Sequence, residues 1–473
     1  MSVAVTFALN TAFNFVIGLL VAKFLGPAEF GRFALATAIA VFVNSALFDW
    51  IRLAATRFYS QRARDEQPAT RATLDLVFAL VASALGVGAL AVILSGVELQ
   101  LSGALLAMAI AVGVANGLFD YHTALVRARF LDGVYGRLIL AKNVAALLFT
   151  AGGAWWFQSA RMALIGICLS VASSLVAGRA ALIDPGATPA AARRDLAGAF
   201  ARYGLPLVLA GVLYQAIPLL NRSIVAAQWG FAETGQFALA YDIGVRIVAA
   251  IGSTLDVLLF QLAVRAEERH GLDRARQQVG RNIGLVLAIL APSCAGVWAI
   301  LPSFEALVVP AEFRGPFAAY LTLLLPGFFA FAVMQYALSP VFQIGHRTLP
   351  VVAAAALACL TNVALVWFAP REAGVAALAA SQSLAVCVGL VALLALAALE
   401  RPVWPRWRDV AGAFGGAALM LAALTPLRAL TPGLATGALQ IVVGLAVCGA
   451  VFALFDVAGL RTLALRRWRA QPA

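Results

Sequence analysis

Two arginines lie inside long apolar runs of the chain, where an ionised side chain is costly and suggests a functional site. Arg222 stands about 10 Å from the nearer end of its run and Arg246 about 15 Å into the next, at about 1.5 Å of helix per residue. Two guanidinium groups with few acids around them would give a cationic cavity that binds phosphate or pyrophosphate through bidentate hydrogen bonds. The alternatives are that Arg222 extends to the membrane surface and that Arg246 pairs structurally with Asp242, one helical turn away.

Amide side chains recur in the same apolar runs. Asn10 and Asn14 are four residues apart and share one helix face, Asn44 lies in the following run, and Asn221 directly precedes Arg222. Their donors and acceptors suit the hydroxyl groups of a saccharide or a coupling ion, and equally they suit hydrogen bonds from helix to helix. The sequence therefore predicts substrate-binding positions at Arg222, Arg246, Asn10, Asn14, Asn44, Asn221 and Asp242.

Several chemistries lack the residues they would need. The two lysines, Lys23 and Lys142, both follow alanine, so the chain has no Gly-Lys-Ser/Thr phosphate loop for ATP hydrolysis. The five cysteines are scattered through apolar runs without the spacing of a zinc site or of a disulfide framework. We expect no catalytic residue, no metal and no cofactor.

The composition is that of a membrane protein. Hydrophobic residues make up 63% of the 473 residues and charged residues 12%, which excludes a soluble globular protein of this length. Apolar runs of about 20 residues, each long enough to cross a bilayer as a helix, recur along the chain. We predict an all-α, polytopic protein with about 14 spans: 3–22, 33–51, 74–94, 103–122, 137–157, 162–181, 205–228, 237–261, 280–301, 316–339, 349–369, 374–398, 409–427 and 434–456.

The net charge of +12 follows the loops and does not indicate a nucleic acid as partner. Alternate loops and the tail carry 26 of the 34 lysines and arginines, with Lys142 counted in the loop before the fifth span, and the opposite loops carry six. Because basic loops stay in the cytoplasm, we expect both termini there.

A stretch of sixteen residues occurs twice, at 21–36 and 225–240, with ten identical positions at a constant offset of 204. Each copy lies between two apolar runs, which predicts a tight hairpin with glycine at the turn. A repeat at this period implies two homologous six-helix lobes, 1–204 and 205–400, followed by two accessory helices and a basic cytoplasmic tail at 401–473. Parallel repeats of this kind are known in transporters, with the substrate site at the repeat interface.

The hairpin at 25–36, its second copy at 230–240 and the Asn221–Arg222 pair make the chain similar to the polysaccharide-repeat flippases (Wzx type) of the multidrug/oligosaccharidyl-lipid/polysaccharide exporter superfamily. The resemblance covers the whole chain, including the plan of fourteen spans. It implies two lobes around a central cationic cavity that moves an undecaprenyl-pyrophosphate-linked oligosaccharide repeat unit across the bacterial inner membrane. In the family an acid often precedes the arginine of span 7, and Asn221 replaces it here, which weakens an ion-coupling role for that position.

The resemblance also implies partners and a pathway. These are membrane lipids, a polysaccharide polymerase and a chain-length regulator, in the synthesis of O-antigen, capsule or exopolysaccharide. With no ATP site, the drive would be an ion gradient or consumption of the flipped sugar.

Two other interpretations stay open at this point. A cation-coupled exporter of drugs or small molecules with the same fold would need a buried acid at the centre of the first lobe, and span 3–22 has none. A membrane glycosyltransferase or polymerase would need larger loops on the outer face than this chain has.

Overall fold

Helices supply the regular structure of the computed structural model, which describes residues 3–96, 100–344, 347–368, 372, 374–400, 402–459 and 461–462. The side chains of residues 3–5, of 343–344 and of part of 253–275 are outside this description. No strand occurs in the described ranges, since a backbone in lipid must satisfy its hydrogen bonds within its own helix. The α-helices are α1 (Val3–Leu47), α2 (Asp49–Phe58), α3 (Gln61–Glu66), α4 (Pro68–Ser95), α5 (Gly103–Ala128), α6 (Asp132–Ala146), α7 (Gly152–Phe157), α8 (Ala160–Leu182), α9 (Arg194–Gln228), α10 (Gly230–His270), α11 (Leu272–Val308), α12 (Pro316–Val333), α13 (Ser339–Ile344), α14 (Leu349–Phe368), α15 (Gly374–Leu399), α16 (Trp407–Leu424) and α17 (Leu434–Phe455).

Thirteen helical segments of the described chain are long and apolar enough to cross a membrane. The first, Thr6–Leu47, has 42 residues. At about 1.5 Å per residue it is roughly twice as long as the hydrocarbon layer is thick, so it holds two spans. The described segments therefore provide fourteen spans, and each predicted span falls on one of them. The predicted fold class, an all-α multi-pass membrane protein, is confirmed.

The break inside α1 lies at Gly26, whose φ of 68° and ψ of 173° interrupt the helix for a single residue. In the second copy of the repeat, Gly230 has a φ of 87° and separates α9 from the rest of α10. The two glycines occupy equivalent repeat positions, in a backbone conformation that other L-residues rarely adopt. Both turns are thus made by the residue type that the sequence predicts.

The two hairpin copies pack against each other through the next pair of equivalent glycines, Gly31 and Gly235. A Cβ atom added at Gly31 would lie 1.8 Å from the carbonyl oxygen of Phe231, and one added at Gly235 would lie 2.1 Å from that of Pro27. Pro27 and Phe231 are themselves equivalent positions of the repeat, so the contact is reciprocal. Small residues allow helix backbones in a membrane to approach this closely, which gives the repeated glycines a packing role.

The chain divides into two compact units, Met1–Leu239 and Ala240–Ala473. The first unit extends past residue 204 because it includes α9 and the second hairpin, which packs on the first. The homologous lobes 1–204 and 205–400 and the accessory segment 401–473 stay a prediction. Residues 463–473, in the basic tail, lie outside the described residues.

Each unit has an apolar core of its own. In the first unit, the aromatic rings of Phe48, Phe78 and Tyr121 pack where α2, α4 and α5 meet. In the second unit, Ala417 of α16 packs on Ala291 and Ala295 of α11. The accessory helix α16 is therefore an integral part of the second unit's packing.

Candidate functional site

The predicted amides of α1 belong to a hydrogen-bonded group. Asn14 donates from Nδ2 to the Oδ1 atom of Asn10 at 3.0 Å and to the Asn10 carbonyl oxygen at 2.8 Å. Asn143 of α6, which is buried, donates to the same Oδ1 atom at 3.0 Å. The shared helix face of Asn10 and Asn14 is confirmed. Asn14 is exposed at the surface of the first unit, and because an amide facing hydrocarbon is costly, this face suits a polar ligand.

A second polar group joins α1 to α5. Asn44 donates from Nδ2 to the Oδ2 atom of Asp120 at 3.0 Å. The Oδ1 atom of Asn44 is buried and meets no hydrogen-bond donor among the described residues. A buried acceptor without a donor costs about 1–3 kcal/mol, and a donor from a ligand would reach this one only if the packing around it opened.

The structure adds Lys142 to the candidate site. The count of basic residues in loops assigns this lysine to the loop before the fifth span. Lys142 lies within α6, and its ammonium is 4.4 Å from the centre of the Phe119 ring. The charge of Asp120 acts on this ammonium, so the acid and the cation partly compensate each other. Lys142 lies ten residues into α6 and within the candidate span Asp132–Phe157, so we assign it to the span and not to the loop before it. Its position inside the predicted span 137–157 was the signal that could have found it.

These two groups lie at a similar depth. Asn10 precedes the Gly26 turn by 16 residues and Asn44 follows it by 18, which places them about 24 and 27 Å along the two arms of α1. Their hydrogen-bond partners, Asp120 on α5 and Asn143 on α6, lie on either side of the short connection between these two helices. Asn10 and Asn44 are therefore at the same end of the unit, which requires the two arms of α1 to run antiparallel. We name as the amide–lysine cluster the residues Asn10, Asn14, Asn44, Asp120, Lys142 and Asn143.

Arg222 is packed inside the first unit. Its side chain is 4% exposed, and its Nη1 donates to the carbonyl oxygen of Ala34 on α1 at 3.0 Å. Asn221 is fully buried beside it on α9. The guanidinium therefore joins α9 to the second arm of α1 and does not extend to the membrane surface. Substrate binding by Arg222 and Asn221 stays a prediction that requires this packing to open.

Asp242 and Arg246 lie on α10 within the second unit, and both are half-buried. Their four-residue spacing puts them on one face of the helix. Their role in binding stays a prediction.

A partly buried ionic network holds the turn of α5 that carries Asp120. Arg71 donates from Nε to both carboxylate oxygens of Asp75, at 2.9 and 2.8 Å, and the Tyr121 hydroxyl donates to Asp75 Oδ1 at 2.7 Å. Arg71 is 6% exposed. Because Tyr121 follows Asp120 directly, this network fixes the orientation of α5 next to the cluster.

A second network lies outside the spans, at the end of the first unit away from the Gly26 hairpin. The amide–lysine cluster is nearer to this end than to the hairpin. The hydroxyl of Tyr59, just after α2, donates to Asp184 Oδ2 at 3.0 Å. Burial, together with the neighbouring carboxylate, raises the pKa of Tyr59 to about 12. Arg64 Nε lies 3.8 Å from the same carboxylate, and Arg129 donates to the carbonyl oxygen of Ala181. These contacts fasten the segment after α8 to the loops that follow α2 and α5.

The second unit contains an apolar cavity of about 710 Å³ between α11, α12 and α16. Trp298, Phe329 and Phe414 form part of its wall. Such a lining suits hydrocarbon and offers little to a saccharide.

No protein-family model and no curated protein matches the chain. Among solved structures, the lipid II flippase MurJ in an inward closed conformation is similar over 96% of this chain and 98% of its own, with a TM-score of 0.69 and 13% identity. A multidrug resistance MATE family transporter of the MOP superfamily, in an inward-facing conformation, is similar over 88% of this chain and 96% of its own, with a TM-score of 0.54 and 13% identity. A MATE in complex with MaD5 gives a TM-score of 0.51 at 13% identity, over 88% and 93% of the two chains.

The chain therefore shares the fold of the lipid II flippase MurJ and of a MATE transporter that is described as a member of the MOP superfamily. The predicted fold is confirmed, and membership of the superfamily stays a prediction. A lipid II flippase and multidrug transporters both have this fold, so the fold by itself does not indicate a substrate.

Proposed function

We propose that this protein is a flippase that moves an undecaprenyl-pyrophosphate-linked oligosaccharide repeat unit across the bacterial inner membrane, for the synthesis of a surface polysaccharide. The amide–lysine cluster carries the proposal, because it places saccharide-binding groups and a cation inside the spans. The fold, similar to that of a lipid II flippase over nearly the whole of both chains, supports it. In this proposal the protein is a transporter and breaks no covalent bond.

The cluster offers the contacts that a charged saccharide headgroup requires. The amides of Asn10, Asn14 and Asn44 supply donors and acceptors for hydroxyl groups. If the packing around Asn44 opened during the cycle, a sugar hydroxyl would satisfy its buried Oδ1 atom. Lys142 supplies an ammonium, which binds phosphate as a point charge. The pyrophosphate and the first sugar would therefore be held together at this depth.

The predicted arginines would act at other stages of the cycle. Arg246 lies on the second unit, half-buried, and Arg222 would become available when α9 and α1 separate. An Arg246→Ala variant is expected to abolish polysaccharide export at a normal protein level, measured by immunoblot and by polysaccharide staining. Normal export would mean that this arginine is structural.

The function is tested most directly in a strain that lacks the protein. Undecaprenyl-pyrophosphate oligosaccharides are extracted from it and scored for amount and leaflet. Complete repeat units trapped on the cytoplasmic side, and released when the wild-type gene is restored, are the expected result. Lipid-linked sugars of normal amount and sidedness would refute the flippase.

A cation-coupled exporter is the second candidate, because Asp120 supplies the membrane acid that the first span lacks and MATE transporters share the fold. The charge of Lys142 acts against it, since a compensated carboxylate binds a coupling cation less well. Efflux of ethidium in cells with and without the protein separates the two. The exporter requires efflux that an Asp120→Asn variant abolishes, whereas the flippase leaves ethidium efflux unchanged.

A further inference from the structure

A polar pocket of about 480 Å³ lies at the hairpin end of the first unit. It forms where four segments meet: the part of α1 just after Gly26, the chain leading into α5, the turn between α7 and α8, and the start of α10. Successive spans alternate in direction, so these segments share one side of the membrane. The distribution of basic loops predicts that this side is the outer face.

Two guanidinium groups and one carboxylate line this outer pocket: Arg32, Arg161 and Glu29. Glu29 is engaged at both oxygens, through an ion pair with Arg32 and through Oε2, which accepts from the backbone N–H of Ala160 at 2.8 Å. The Arg32 guanidinium also lies over the Phe231 ring, 5.0 Å from its centre. Among the described residues that line the pocket, two guanidinium groups accompany one carboxylate whose oxygens are both engaged, so this part of the lining carries a net positive charge.

Uncharged hydrogen-bonding groups complete the lining. They are the amide of Gln100 and the hydroxyl groups of Ser102 and Ser159. The two serines are the N-caps of α5 and α8, and the partial positive charge of a helix N-terminus adds to that of the guanidinium groups. Charged donors for an anion thus stand beside neutral donors and acceptors for hydroxyl groups.

We propose that the outer pocket binds the anionic group of an acidic saccharide, a carboxylate or a phosphate carried on a sugar. The role of this pocket in transport rests on the proposed flippase function: the pocket would hold the saccharide headgroup at the outer face, to which the flippase delivers that headgroup. It is separate from the amide–lysine cluster, which lies near the opposite end of the same spans.

Binding is measured by calorimetry on the purified full-length protein in lipid nanodiscs. Three probes are titrated: trigalacturonic acid, glucose 6-phosphate and the neutral maltotriose. We expect at least one acidic probe to bind about tenfold more tightly than maltotriose, with an affinity that falls as salt is raised. The tighter acidic probe identifies a carboxylate or a phosphate as the preferred group. Equal affinity for maltotriose, or no acidic probe bound at millimolar concentration, would overturn the inference.

Variants locate the binding. Arg161→Gln is expected to weaken the acidic probe about tenfold, and Arg161→Lys, which keeps the charge, by no more than about threefold. Lys23→Gln is the matched control, because Lys23 is an exposed cation near the same turn but outside the pocket. An equal loss in Lys23→Gln and Arg161→Gln would assign the binding to general surface charge and end the proposal.

The outcome is independent of the flippase test. Trapped lipid-linked oligosaccharides in the deletion strain, with no acidic saccharide bound by the purified protein, would leave the flippase standing and refute the outer pocket. Binding at Arg161 in a protein whose loss leaves lipid-linked sugars unchanged would do the reverse.

Discussion

Lys142 and Asp120 show how two single residues determine what the first unit can bind. The ammonium lies over the Phe119 ring and near a carboxylate that already accepts from Asn44. A charge left alone costs about 3 kcal/mol at the centre of a membrane helix, and less towards the ends of the spans, where this pair lies. The pair therefore lets the protein keep an ammonium among the spans, and in the proposed function this ammonium contacts the anionic headgroup.

A double variant separates the structural from the functional part of this pair. Lys142→Met leaves the Asp120 carboxylate uncompensated, so we expect a lower melting temperature in detergent and loss of polysaccharide export. Lys142→Met combined with Asp120→Asn removes both charges and should recover much of the melting temperature while export stays absent. Normal export by the double variant would assign the pair to folding alone.

Tyr59 makes a prediction about pH. Its pKa is raised to about 12 by burial and by Asp184, from an ordinary value of about 10. A raised pKa means that the fold favours the neutral phenol, so this contribution to stability is complete below about pH 10 and is lost as the pH rises towards 12. Tyr59→Phe is expected to lower the melting temperature at pH 8, by loss of a hydrogen bond that contributes about 1 kcal/mol.

The same variant should lose less stability than the wild type between pH 10 and pH 12, because it lacks the group that ionises. Arg64, 3.8 Å from the same carboxylate, and Arg129, which donates to the carbonyl oxygen of Ala181, are common to both proteins, so the comparison isolates the effect of Tyr59. Parallel melting curves for the two proteins across this range would show that Tyr59 does not carry the effect.

The sequence predicts which residue types enter the membrane but not what they touch. The shared face of Asn10 and Asn14 follows from local spacing and was predictable. The contacts Asn44–Asp120, Asn143–Asn10 and Arg222–Ala34 span 76, 133 and 188 residues of chain. Helix packing determines such contacts, and a single sequence carries no direct sign of them.

At the scale of helices, Gly31 and Gly235 are the positions where a small change has the largest expected effect. Gly31→Ala would place a methyl group against the Phe231 carbonyl oxygen, in a contact that is reciprocal with Gly235. We expect the two hairpins to be forced apart, with a loss of several degrees in melting temperature and of folded yield. Gly86→Ala in α4 is the matched control, since nothing lies within 4 Å of a Cβ atom there.

The control should be neutral or slightly stabilising, because alanine is favoured over glycine in a helix by about 1 kcal/mol. Equal effects of the two substitutions would mean that the close approach at Gly31 is not essential.

The positions of the helices themselves were predictable, since an apolar run of sufficient length is a local property. The glycine turn itself was predictable, but not that it takes the single residue Gly26, because the hydrophobic pattern does not fix where one span ends and the next begins.

At the scale of the whole molecule, the distribution of basic residues predicts the orientation. Single cysteines are placed at Gln158, on the hairpin side, and at Arg62, near the opposite ends of the spans, in a protein without its five native cysteines. A membrane-impermeant maleimide should label position 158 in intact spheroplasts and position 62 after permeabilisation. The reverse pattern would place both termini outside the cell.

The reciprocal contact between Gly31 and Gly235 has a consequence for how the sequence can change over time. Each copy of the hairpin is the surface on which the other copy packs, so a larger residue in either one disturbs both. A substitution at either position must therefore be compatible with both segments, so fewer residue types are acceptable here than in neighbouring segments. This gives a physical reason why ten of sixteen positions match across 204 residues of chain: the two segments are alike where they touch.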